Sequence, residues 1–397
     1  MSVTEQAARP EEPKQLAPET VGMKAKALLH VGMRSGFLIS LIAILVSLFV
    51  GALFIWMSGA SVADAYSRLL RGAIFNPGRD DFARQIKPMT ETLRNAVPLI
   101  LAGLGLGLGF RAGLFNIGGQ GQIVLGAIGA AYIGFTLNLP FPIHLLLAII
   151  VAMIFGGIWG GTAGFLKART GANEVIVTIM LNAISGFLLL YVLGRKTFQI
   201  PGSTELKSKS VAEAARLPHL LPAPFNLHAG LIVAIIATAF VWWVLERSTF
   251  GFELRSVGAN PHASRTAGMS TGKVTTLTMA LSAALCGAAG ANEVLGTFGA
   301  LTPAVAGTIG FDAITVALLG RNKPVGIFFA GLLFGAFKAG APLMQGANVP
   351  VDIILILQAV IVLLIAAPAL IRWIFRLPKP DGVSYREYIT LQREGKR

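Results

Sequence analysis

Residues 155–184 read FGGIWGGTAGFLKARTGANEVIVTIMLNAI, and residues 330–359, a shift of 175 positions, read AGLLFGAFKAGAPLMQGANVPVDIILILQA. Gly156 meets Gly331, Gly160 meets Gly335, and the turn Gly171-Ala172-Asn173 meets Gly346-Ala347-Asn348. Each copy reads as a Gly-rich helix, a turn, and an Ile/Val/Leu-rich helix. Both helices of each copy are apolar enough to cross a bilayer, and an odd number of crossings, five, separates the copies. They therefore run in opposite senses. Inverted repeats of this kind place a transport path between two halves.

Working outward, apolar runs of spanning length occur near 36–57, 95–113, 117–138, 143–166, 173–194, 229–245, 273–297, 304–320, 325–345 and 350–375. A span takes about 20 residues, so 304–320 is short and reads as broken or re-entrant. The expectation is an all-α membrane protein of about ten transmembrane helices. Composition agrees: of 397 residues 54% are hydrophobic and 13% charged, against about 25% charged in a soluble domain. Lys24, Lys26 and Arg34 precede the first span and place the N-terminus inside. Alternation then puts Arg111, the Lys167–Arg169 turn, the 246–272 loop, Arg321–Lys323 and the C-terminus inside as well. The domain reading is a disordered cytoplasmic tail 1–33, a permease domain 34–376 and a cytoplasmic tail 377–397. Segments 58–94 and 195–228 read as caps on the outer side.

The net charge of +14 belongs to these inside loops rather than to a nucleic-acid surface, since no basic stripe with interleaved aromatics occurs. The single cysteine, Cys286, cannot form an intrachain disulfide, and five scattered histidines make no metal set. Gly103, Gly105, Gly107 and Gly109 lie inside a span, outside the strand–turn–helix context of a dinucleotide site. Gly268-Met-Ser-Thr-Gly272-Lys273-Val274 is one residue short of a phosphate loop, and Val274 stands where a magnesium ligand is needed. The chain thus reads as no enzyme, with no ATP site of its own. Gly156, Gly160 and Gly164 share one helix face and are read as close packing.

Polar residues inside the spans are the candidates for chemistry. Asn116, Gln120 and Gln122 lie between the second and third runs, Asn173 and Asn182 on the fifth, Asn292 late in the seventh, and Asp312 in the weak eighth. These seven are expected to line or frame the substrate path. Buried ionisable groups at membrane depth need a partner, so Asp312 and Lys338 are expected to find partners inside the bundle, each other being one candidate. Glu174, close to Lys167 and Arg169, is read as interfacial. The pentapeptide Gly-Ala-Asn-Glu-Val occurs at 171–175 and again at 290–294, and each Asn is a natural helix cap. The loop 246–272, ERSTFGFELRSVGANPHASRTAGMSTG, is far longer than a connector requires and should hold a short helix over 261–269 after Asn260-Pro261. It reads as a docking site for a partner protein.

Three segments resemble the permease subunits of bacterial ATP-binding cassette importers of the ribose, branched-chain amino acid and nucleoside type: PLILAGLGLGLGFRAGLFNIGGQGQIVLG at 98–126, GANEVIVTIMLN at 171–182 and FGFELRSVGANPHASRTAGMS at 250–270. The likeness is greatest to permeases paired with lipoprotein receptors for purine nucleosides. It implies a second permease subunit (homologous or identical), two cytoplasmic ATPases carrying ATP and magnesium, an extracytoplasmic binding lipoprotein and a bacterial inner membrane. It further implies a coupling surface for the ATPases at Phe250, Gly251, Leu254, Arg255, Gly258, Asn260, Pro261, Ala263, Ala267 and Gly268. Related permeases often carry Glu where Gln120 stands, so no role needing a carboxylate is expected there. The resemblance implies alternating access for a nucleoside or similar small polar solute, driven by partner ATPases. The competing readings are an ion-coupled secondary transporter using Glu174, Glu293 and Asp312, or a permease for a simple sugar or branched-chain amino acid.

Overall fold

The computed structural model describes residues 22–24, 27, 30, 36–203, 205–347, 349–350, 352–366, 368–378 and 385–393. The expected tail 1–33 therefore lies mostly outside the described residues, as do Lys26, Arg34, Asn348 and Lys379. The chain divides into a large unit, 49–362, and a small one formed by 1–48 with 363–397. The described residues are helical apart from turns, coil and two isolated bridges, Gln199 to Ser208 and His219 to His228.

The helices are α1 (Gly36–Met57), α2 (Val62–Ala73), α3 (Phe82–Arg111), α4 (Gly119–Thr136), α5 (Ile143–Thr170), α6 (Glu174–Leu193), α7 (Gly230–Arg247), α8 (Thr249–Ala259), α9 (Pro261–Thr266), α10 (Thr271–Asn292), α11 (Ile309–Leu319), α12 (Pro324–Gln345), α13 (Asp352–Ala366), α14 (Pro368–Ile374) and α15 (Tyr385–Arg393). A π-helical turn, Glu293–Phe298, extends α10. Seven helices among the described residues are long and apolar enough to span: α1, α3, α5, α6, α7, α10 with its π turn, and α12. The weak eighth run is an eleven-residue helix, α11, preceded by irregular chain.

Two elements differ from the sequence reading. The 58–94 cap contains amphipathic α2, whose first turn is capped by Ser61. α3 also starts thirteen residues before the apolar run, because Asp81 accepts from the Ala83 N–H and holds a polar, Pro88-containing first half in helix. That half projects beyond the apolar part and ends beside the 195–228 segment, where the Asn226 side chain donates to Glu91 Oε1 at 2.8 Å. In the small unit, the rings of His30 and Tyr388 of α15 meet at a tilt, 4.2 Å between centroids.

Lipid gives helices no hydrophobic reason to associate, so close backbone approach must do it. α3 and α10 cross at the centre of the large unit. A Cβ at Gly105 would stand 2.3 Å from the Ser282 carbonyl oxygen. The crossing is antiparallel, since Ala102 faces Cys286 while Gly105 faces Ser282. α5 lies antiparallel on α10, with Gly156 against Ala283 and Gly287 and Gly164 against Thr276 and Met279. α12 lies antiparallel on α3, with Gly331 against Ile100 and Gly335 against Ala96. It follows that α5 and α12 run in opposite directions. The glycines matched by the repeat serve one purpose twice: 156 and 160 seat α5, and 331 and 335 seat α12.

Gly105→Val would drive a branched side chain into backbone that cannot yield. The expected outcome is a loss of about 2 kcal/mol or more, read as a lowered melting temperature of the detergent-purified protein. Gly157→Ala, whose added methyl would meet the nearest atom at 3.2 Å, should be milder by the same measurement.

Candidate functional site

α4 and α11 both begin inside the bundle. α3 ends at Arg111, and residues 112–118 fold back into it. The first turn of α4 then sits beside Leu106 and Gly310, some 8 Å inside the end of α3 at 1.5 Å per residue. On the other side, the π turn ends at Gly299 with φ of 67°, and irregular chain 299–308 leads to α11. Non-helical backbone at this depth must be bonded by protein or line a polar cavity. Gln120 supplies part of that bonding. Its Nε2 donates to the Gly307 carbonyl at 2.7 Å, and its Oε1 accepts from the Gly310 N–H at 3.0 Å. Asn182 does the same from α6, donating to the Ile117 carbonyl at 2.9 Å and accepting from the Gly121 N–H at 2.8 Å.

Gln120 and Asn182 share a cleft of about 630 Å³, walled by Gly186 and Phe187 of α6 and by Pro303 and Gly307 of the irregular chain. Each amide retains one N–H and one lone pair beyond the bonds described. The other expected path residues are placed elsewhere. Asn116 and Gln122 are buried and bond each other through both amide edges at 3.0 and 3.1 Å, with Ser282 as a further acceptor for Asn116. They lock the 112–118 fold-back. Asn173 is exposed at the end of α5 and caps α6 through the Val175 and Ile176 N–H groups. Asn292 is buried, donates to Glu293 Oε1 at 3.2 Å and packs on Gly230, with no acceptor role for its Oδ1 among the described residues. Glu293, also buried, accepts from Thr297. Sequence reading did not single out Gly186 and Phe187; an isolated glycine with no GxxxG partner in an Ile/Leu-rich helix was the available signal.

Asp312 and Lys338 do pair, at 2.7 Å with both side chains largely buried, and Thr308 donates to the same carboxylate oxygen. The pair joins α11 to α12 next to the irregular chain. Glu174 pairs with Lys167 and also accepts from the Phe115 N–H, tying the α5–α6 turn to the fold-back.

At the Arg111 end, residues 246–272 form two helices where one was expected. Ser248 caps α8 by accepting from the Gly251 N–H, and Asn260 caps α9 by accepting from His262 and Ala263, with Pro261 in the first turn. α9 stops at Thr266, short of 269, because Gly268 turns the chain at φ 85°. Gly251, Leu254 and Gly258 face inward: Gly251 meets Val244, Leu254 is fully buried, and Gly258 meets the Arg111 carbonyl. These three seat the element on the ends of α7 and α3. Pro261, Ala263, Ala267 and Gly268 are exposed, while Phe250 and Arg255 are half-buried, with Arg255 3.9 Å from Glu246. Phe250, Ala267 and Gly268 border a hollow of about 440 Å³.

At the opposite end, a polar cleft of about 630 Å³ is lined by Arg94, Arg216, His219 and Asn226 against Leu295–Gly299. Beneath it His228 is fully buried, accepting the Gly230 N–H at 3.2 Å. Burial, helped by the nearby positive charge of Arg94 and by His219, pushes its pKa down to about 4. A larger groove of about 990 Å³ between α5 and α10 is lined almost wholly by aliphatic and small side chains. It offers no polar grouping for a polar solute.

Comparison with known proteins adds a second line. The family model described as "Branched-chain amino acid transport system / permease component" matches residues 89–366. A guanosine ABC transporter permease protein of Bacillus subtilis is 41% identical over 362 residues, 88% of this chain and 99% of that one. A nucleoside ABC transporter permease protein of Lactococcus lactis is 34% identical, covering 88% of this chain and 95% of the relative. A glucose ABC transporter permease protein of Haloferax volcanii is 36% identical over 69% of this chain and 75% of its own length. No solved structure matches.

Removing one member of a buried ion pair costs about 3–5 kcal/mol. Asp312→Lys alone should therefore fail to yield stable protein, and Asp312→Lys combined with Lys338→Asp should recover it, as read by size-exclusion and melting temperature. For His228, the unfolded chain takes a proton near 6.5 while the folded chain refuses it until about 4. Its contribution is whole above 6.5 and is lost as pH falls towards 4, by up to about 3 kcal/mol. Melting curves between pH 7.5 and 4.5 should show this decline in the native protein and a shallower one in His228→Gln.

Proposed function

The chain belongs to the permease-component family of the branched-chain amino acid transport type and is a permease subunit of an ATP-binding cassette transporter; we propose that it imports nucleosides. The observation that carries the reading is the cleft of Gln120 and Asn182. It lies where two membrane segments start inside the bundle, and it has amide hydrogen-bonding capacity to spare. A nucleoside, uncharged and rich in donors and acceptors, is matched by amides and needs no fixed charge. Two relatives named for guanosine or nucleosides align over nearly nine-tenths of the chain.

In this proposal ten segments cross the membrane, counting α4, α11 and α13–α14 with the seven long helices. The domain is 34–376, both tails are cytoplasmic, and the membrane is the bacterial inner membrane. The Arg111 end faces the cytoplasm. There α8 and α9 receive a partner ATPase, which brings ATP and magnesium. Gly251, Leu254 and Gly258 hold the element rigidly to α7 and α3, so a push on the exposed side reaches the α3–α10 crossing. A binding protein delivers the nucleoside at the Arg94 end, and a second permease subunit, homologous or identical, closes the open side of the cleft. Binding of ATP to the partners shifts the two oppositely oriented halves between outward and inward states.

The test is ATPase activity of the reconstituted complex with its binding protein, across guanosine, adenosine, uridine, ribose and glucose. Stimulation several-fold by nucleosides is expected. A flat response to nucleosides with a clear response to ribose or glucose would overturn the substrate assignment.

A further inference from the structure

Within this chain Gly186 has no packing reason to be glycine. A Cβ added there would meet nothing within 4 Å, and a glycine inside a helix costs about 1 kcal/mol relative to alanine. Glycines at the helix crossings, such as Gly105, Gly156 and Gly331, stand instead with backbone or side-chain atoms 2.3–2.6 Å from such a Cβ. Gly186 faces the cleft instead, and next to it Phe187 is 75% exposed. The same cleft holds the Gln120 and Asn182 side chains, with unused N–H groups and lone pairs. Lipid cannot satisfy those groups, whereas a polar occupant of the cleft can.

We propose that Gly186 and Phe187 form a stacking shelf that makes the path selective for the base of a nucleoside. The flat base lies in the space left by the missing side chain at 186 with its face against the Phe187 ring. Its polar edge is read by the spare N–H and lone pair of Gln120 and Asn182. Aromatic stacking tolerates every base because each has a π-face, while amide edges supply donor and acceptor alike. The cleft volume of about 630 Å³ falls within the range of about 300–1,000 Å³ usual for small-ligand sites. The inference rests on the nucleoside reading above and adds the two residues that recognise the base.

Uptake into proteoliposomes by the full complex, with partner ATPases and binding protein, tests it with labelled guanosine, uridine and ribose. Phe187→Ala should lower nucleoside uptake by about 10-fold, the scale of one lost base stack, and Phe187→Trp should restore most of it. Gly186→Leu should block nucleoside uptake while the protein assembles and melts as the native form does, because the new side chain enters open space. Native-like nucleoside uptake by both Phe187→Ala and Gly186→Leu overturns the shelf. So does an equal loss for nucleosides and ribose in Phe187→Ala, which would make the ring a wall and not a base reader. Native complex that takes up ribose but no nucleoside overturns the functional reading instead, and the shelf falls with it.

Discussion

A peptide group in the hydrocarbon layer has no water to bond, and this constraint organises the molecule. Regular helices satisfy it internally. The two places where the chain abandons the helix at depth, 112–118 and 299–308, need side chains to complete the bonding, and they receive them from Asn116, Gln120 and Asn182. Two of those amides, Gln120 and Asn182, also line the cleft. Irregular backbone and a polar wall are thus one feature, the second following from the first.

Around that feature the bundle is built on small residues. The Gly105–Ser282 crossing brings α3 and α10 together, and the repeat glycines attach one oppositely directed helix to each. The cleft is bordered by α4, α6 and the irregular chain 303–307. The exposed α8–α9 element is fastened at its Gly258 to the end of α3. The element thus touches a central helix, α3, as well as α7.

Much of this could be read from the sequence. Apolar runs located nearly every span, the repeat fixed the antiparallel relation of α5 and α12, and membrane-depth charges identified the Asp312–Lys338 pair because an unpaired charge there is too costly. The start of α3 was hidden because polar residues 82–94 carry no apolar period, their helix being fixed by the Asp81 cap. The different fates of Asn116, Asn173 and Asn182 were also hidden. All are asparagines in or beside spans, and which becomes a lock, a cap or a cleft wall depends on neighbours up to 166 positions away. Gly186 differs in kind: its meaning lies in what is absent around it, and no pattern of spacing records empty space.

Gln120 bridges α4 to the irregular chain with one donated and one accepted bond, and it is uncharged. A carboxylate at that joint could accept from Gly310 but could not donate to Gly307 without a proton. Moving one elementary charge across a membrane involves about 2.3 kcal/mol per 100 mV. In the proposed transport cycle this joint, an amide beside a Lys338–Asp312 pair of opposite charge, carries no net charge through the field and would move with little electrical work. The cycle proposed above would then run at nearly the same cost in an energised cell and a depolarised one.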